Sequence, residues 1–67
     1  MQDQHSPTLL RLPAVLARTA LSRSRLYELV KTGRFPRPVK LAESSTNVWP
    51  ADAVSAWIAG QINDQGK

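Results

Sequence analysis

A chain of 67 residues with 42% hydrophobic residues holds one small domain, because a fold of this size buries only roughly 60% of the surface its unfolded chain exposes. It has no cysteine and a single histidine, His5, which excludes a disulfide framework and leaves a structural zinc site without ligands, and no apolar run approaches the roughly 18 residues of a membrane span. Nine Lys and Arg against five Asp and Glu give a net charge of +4 and an isoelectric point near 10.4, a balance that favours a polyanionic partner.

Residues 1–8 are polar, contain Ser6-Pro7 and offer nothing to bury, which predicts a flexible arm. No basic residue precedes an apolar segment there, so no secretory signal is read and the cytoplasm is the expected compartment. The domain proper is expected over residues 9–62. Leu12, Val15 and Leu16 fall at i, i+3 and i+4, one face of a short first helix that tolerates Pro13 in its first turn and reaches about Arg18. Thr19-Ala20-Leu21 then makes a tight connection, and the Ser22 side chain is placed to cap the next helix. That second helix spans residues 23–32, with Leu26, Leu29 and Val30 inward and Gly33 where a left-handed residue ends a helix.

Beyond Gly33, the prolines of Arg34-Phe35-Pro36-Arg37-Pro38 forbid helix, and Val39-Lys40-Leu41 alternates like a short strand. The polar run Ala42-Glu43-Ser44-Ser45-Thr46-Asn47 supplies a turn and Val48-Trp49 a returning strand, which together predict a small hairpin, or wing. Pro50 suits the first position of a third helix, Asp52 its first turn, and Val54, Trp57 and Ile58 repeat the core spacing as far as about Ile62. Residues 63–67 read as a frayed tail. The predicted fold class is mainly α with a small β-hairpin, a winged helix-turn-helix.

Two short helices joined by about four residues form a corner in which the second helix can enter a major groove while the first braces it. On a helical wheel Leu26, Leu29 and Val30 face inward, Ser24, Glu28 and Lys31 lie opposite, and Arg25 and Tyr27 flank that outer face. The Arg25 guanidinium is the candidate for reading guanine, since its fork matches O6 and N7. Arg23, Tyr27 and Lys31 are assigned to phosphates, Ser24 to the helix N-terminal anion contacts, Glu28 to orienting Arg25, and Ser22 chiefly to capping. Arg34, Arg37 and Lys40 form a basic cluster that a hairpin would carry to the flanking backbone or minor groove. The bland reading of the same residues is a solvated surface on which Arg25 pairs with Glu28 at i+3. Phe35, Trp49 and Trp57 sit beside apolar positions and are read as core rather than as stacking platforms for bases. Five scattered carboxylates and three widely spaced glycines give neither an acid–base pair nor a phosphate loop, so no enzymatic activity and no cofactor is expected.

Leu12-Pro13-Ala14-Val15, the stretch from Leu21 through Tyr27, the stretch from Gly33 through Leu41, and Trp49 with Val54 and Trp57-Ile58 together resemble the AlpA-like regulators of prophages and integrative elements. Those proteins are related to excisionases and to the MerR-like winged helix-turn-helix group. The resemblance implies sequence-specific binding of duplex DNA, with a role in transcriptional control or in excision of a mobile element. It also implies that Ser22 through Arg25 and Tyr27 lie at the DNA, that Phe35 and Pro36 shape the start of the wing, and that Trp49 and Trp57 build the core. Two positions depart from the pattern: Ser44-Ser45-Thr46-Asn47 lacks the basic residue relatives carry before the tryptophan, and Ala53 stands where an acidic residue is usual. A domain this small is expected to act as two or more copies or beside a partner protein, an integrase or RNA polymerase being the candidates. The alternative is an adaptor that binds such a protein without reading bases.

Overall fold

The computed structural model describes residues 8–65, so the expected arm before Thr8 and the last two residues of the expected tail lie outside the described residues. In chain order the elements are β1 (Leu9–Arg11), α1 (Leu12–Thr19), α2 (Arg23–Lys31), β2 (Val39–Lys40), β3 (Asn47–Pro50) and α3 (Ala51–Gln65). The fold is mainly helical with a small antiparallel sheet, a small winged helix-turn-helix-like arrangement.

The sheet has three strands rather than the two of a hairpin. Its order is β1-β3-β2, with Leu9, Leu10 and Arg11 opposite Pro50, Trp49 and Val48, and with Val39 and Lys40 opposite Val48 and Asn47. Because side chains alternate along a strand, this register turns Leu10 and Trp49 to the helix side of the sheet. Both then join the core, Trp49 fully buried and Leu10 packed against it.

That core consists of Val15, Leu26, Leu29, Phe35, Trp49 and Val54, with Leu12, Leu16, Leu21, Val30, Trp57 and Ile58 packed around it. Each helix thus contributes the i, i+3, i+4 stripe read from its sequence to one cluster, which also holds Trp49 from β3 and Phe35 from the link after α2. Burial of such side chains is the main stabilising term available, about 1.5–3 kcal/mol for each large one relative to exposure.

Two boundaries differ from the sequence expectation. Pro50 ends β3 instead of opening the helix; the first helical amide, on Ala51, donates to the Thr8 carbonyl at 2.8 Å, which ties the segment before β1 to the start of α3. At its other end α3 continues past Ile62 to Gln65, taking Asn63 and Asp64 into the helix.

The corner between α1 and α2 rests on Ala20, whose backbone is left-handed at φ 63° while its amide donates to the Leu16 carbonyl at 2.8 Å. Thr19 holds the same turn: its hydroxyl donates to the Val15 carbonyl at 2.9 Å and accepts from the Leu21 amide at 3.3 Å. A β-carbon in this conformation costs roughly 1–2 kcal/mol, part of which a glycine would forfeit through greater freedom of the unfolded chain. Ala20→Gly is therefore expected to stabilise the protein by about 0.5 kcal/mol in urea unfolding; a lower midpoint would contradict the strain.

Candidate nucleic-acid interface

Helix α2 is fixed at both ends. At the start Ser22 is the N-cap, its Oγ accepting from the Arg25 amide at 3.1 Å and its carbonyl from the Leu26 amide at 2.9 Å. At the finish Gly33 has φ +78°, with its amide donating to the Val30 carbonyl at 3.1 Å and the Arg34 amide donating to the Leu29 carbonyl at 2.8 Å. This is the double-bonded left-handed termination that glycine favours. Between these ends Leu26 and Leu29 are buried, and Arg23, Ser24, Arg25, Tyr27, Glu28 and Lys31 are exposed. All the α2 positions picked out in the sequence therefore lie on the solvent side of a helix whose opposite side is locked into the core.

On that outer side the Arg25 Nη1 donates to the Glu28 Oε1 at 3.0 Å. The side chains are 53% and 61% exposed, so the pair contributes only about a few tenths of a kcal/mol to stability. Its physical effect is orientation: one edge of the guanidinium is engaged, and its remaining N–H donors stay available. Tyr27 projects from another side of α2, its ring centroid 6.4 Å from that of Trp49 at an interplanar angle of 56°. One edge of Tyr27 thus packs on the core while the residue remains exposed at the surface.

The link between α2 and β2 is held by two indoles that sequence periodicity does not reveal as hydrogen-bond donors. Trp49 Nε1 donates to the Pro36 carbonyl at 2.9 Å, and Trp57 Nε1 donates to the Arg34 carbonyl at 2.8 Å. Between these anchors Phe35 is buried and meets the Trp57 ring edge-on, with centroids 4.9 Å apart. A usable signal did exist: the prolines deprive the link of a regular backbone ladder, so its carbonyls need other donors.

The three basic residues of this region fall in different places. Arg34 follows Gly33 on a backbone bonded at both its amide and its carbonyl. Arg37 lies in the proline-bracketed link, exposed. Lys40 pairs with Asn47, which puts it on the sheet face that also carries Trp49 and hence on the side where Tyr27 of α2 packs. Among the described residues none of the three makes an ion pair. The hairpin turn contributes no cation; its Glu43 is left-handed at φ 57° and carries a carboxylate, and Ser44 accepts from the Thr46 amide at 2.9 Å.

A helix-turn-helix corner, an outward helix face bearing Arg25, and exposed cations on the following link and strand define a small regulator-like winged helix-turn-helix surface. The chain matches the family model described as "Prophage CP4-57 regulatory protein (AlpA)" over residues 8–62. It is also similar to a curated protein of Enterobacteria phage P4 called "Uncharacterized protein ORF88", with 43% identity over 62 residues covering 92% of this chain and 69% of that protein. No solved structure matches it significantly. The protein belongs to the AlpA family of phage regulatory proteins. No helix among the described residues is long and apolar enough to cross a membrane.

Two substitutions probe how α2 is held. Ser22→Ala should cost about 1 kcal/mol by removing the cap. Trp49→Phe should cost at least about 2 kcal/mol, because it strands the Pro36 carbonyl and leaves unfilled space in the core. Chemical denaturation of both variants checks this, and a Trp49→Phe protein as stable as the parent would contradict the role given to the indole.

Proposed function

We propose that the protein is a sequence-specific duplex-DNA-binding regulator of a prophage or integrative element, acting in transcription or in excision. In this reading α2 enters the major groove. Arg25, held by Glu28, donates its free N–H groups to guanine O6 and N7. Ser24 and the first amides of α2 meet phosphates, as do Arg23, Tyr27 and Lys31. Arg34, Arg37 and Lys40 add salt-sensitive affinity along the flanking backbone.

The observation that carries the reading is the division of α2 into a locked inner face and an outer face bearing the Arg25–Glu28 pair. A helix that is to read bases must present donors at fixed positions, because an error of an ångström breaks a bidentate contact. The hairpin tip supports the same assignment from the other direction. Glu43 and the uncharged residues after it offer phosphate no cation there, so the charged contacts to the backbone fall to α2 and to Arg34, Arg37 and Lys40.

Binding titrations at several salt concentrations, on a site enriched by the protein itself and on a scrambled duplex, test the proposal. Arg25→Ala should lose about 1–3 kcal/mol on the enriched site and flatten its preference over the scrambled one. Lys40→Ala should weaken both duplexes alike and lower the salt slope by about one. If the two variants behave identically, α2 does not read bases; if neither changes binding, the adaptor reading replaces this one.

A further inference from the structure

Two surfaces away from the outer face of α2 each expose large apolar side chains, Ile62 on one and Leu9 and Val39 on the other, and they differ in the sign of their charge. The first is on α3. Asp52, Ser55, Ala59 and Ile62 are all exposed, and their spacing of three, four and three residues sets them along one side of the helix. Ile62 is 65% exposed, and residues 59–64 are exposed on every side of the helix, so the last turns of α3 extend beyond the packed body. None of the nine Lys and Arg falls in α3, whose charged residues are Asp52 and Asp64.

The second surface is the sheet face turned away from the helices. The register places Arg11, Val48 and Val39 in a row across all three strands, with Leu9 and Pro50 alongside. Leu9 is 49% and Val39 48% exposed, whereas Val48 is buried although it lies apart from the core cluster. The ionic group of this face is the exposed Arg11; no carboxylate stands among these five residues.

We propose that the α3 stripe of one copy docks on the outer sheet face of a second copy, with Asp52 toward Arg11 and Ile62 toward Val39. The dimensions agree. Ten residues of helix separate Asp52 from Ile62, about 15 Å of rise; Arg11 and Val39 flank Val48 two strand spacings apart, about 10 Å, and the long Arg11 side chain spans the remainder toward Asp52. Charge selects this partner over a second α3, because pairing α3 with itself offers Asp52 no cation, whereas the sheet face supplies one. The contact is heterologous, so it repeats head to tail rather than closing into a two-fold dimer. Patches this small make a weak contact in solution that gains effect when copies are held side by side. On DNA, which rests on the reading proposed above, it would favour adjacent sites in direct repeat over palindromes.

The test needs no DNA, and the absence of native cysteine makes it simple. Ile62→Cys and Val39→Cys, both at exposed positions that tolerate change, are mixed in equal amounts at high concentration and treated with a short bis-maleimide, and the products are separated by mass. The mixed product should exceed either same-variant product by about fivefold or more, against the twofold of random pairing. Adding Arg11→Glu to the Val39→Cys chain should reduce it about three- to tenfold, and adding Asp52→Arg to the Ile62→Cys chain should restore it. A random distribution, a dominant Ile62→Cys self-product, or a mixed yield indifferent to the charge reversals would each overturn the proposal. Because the assay contains no nucleic acid, failure of DNA reading leaves it unaffected.

Discussion

Two indole N–H groups hold this small fold in its working shape. The link after α2 contains two prolines and leaves the backbone ladder, so the carbonyls of Arg34 and Pro36 depend on donors from elsewhere. Trp49 on β3 and Trp57 on α3 supply them, with Phe35 buried between the two anchors. Each bond contributes only about 1 kcal/mol net, and loss of the Trp49 donor would cost more, because the Pro36 carbonyl it serves is part-buried whereas the Arg34 carbonyl is open to water. The same bonds tie the link after α2 to the sheet and to α3, while Leu26 and Leu29 seat α2 itself in the core. In a small chain without cysteine, such cross-element bonds matter more than in a large domain.

The clamp has a functional consequence because the two ends of α2 are constrained by different means. Its start is set locally, by the Ser22 cap and the strained Ala20 corner. Its finish is set by Gly33 and, through Arg34, by Trp57. Capped ends hold the backbone beneath the exposed side chains between them, and within that set Arg25 is hydrogen-bonded to Glu28. Tyr27 connects core and surface, since its ring lies near that of Trp49 while the residue stays partly exposed. A change at Trp49 would therefore reach Tyr27 on α2, the helix proposed to read bases, without altering that helix's own sequence.

Much of this was legible in the sequence, and the limits have physical causes. The three helices follow from apolar spacing, and Ser22 and Gly33 mark the ends of α2 because capping and left-handed termination are local chemistry. The i, i+3 pair of Arg25 and Glu28 is equally local. Strand β1 was not legible: three residues, Leu9–Arg11, are too few to show alternation, and only pairing with β3 makes them a strand. The extension of α3 to Gln65 was hidden because Asn63 and Asp64 lack helix preference and the residues before them give no stop signal. The indole bonds join residues 13 and 23 positions apart, beyond the reach of any periodicity. Which side of the sheet Lys40 occupies depends on the register with Asn47, a tertiary fact that a one-residue slip would reverse.

Repeated selection of bound sequences from a random duplex pool, using the intact protein at moderate salt, tests most directly whether α2 reads bases. The account predicts convergence on a short motif containing guanine at a position whose replacement lowers affinity. Recovery of a pool as diverse as the starting one, with binding that still falls as salt rises, would show that the protein grips phosphate without reading sequence and would contradict the account.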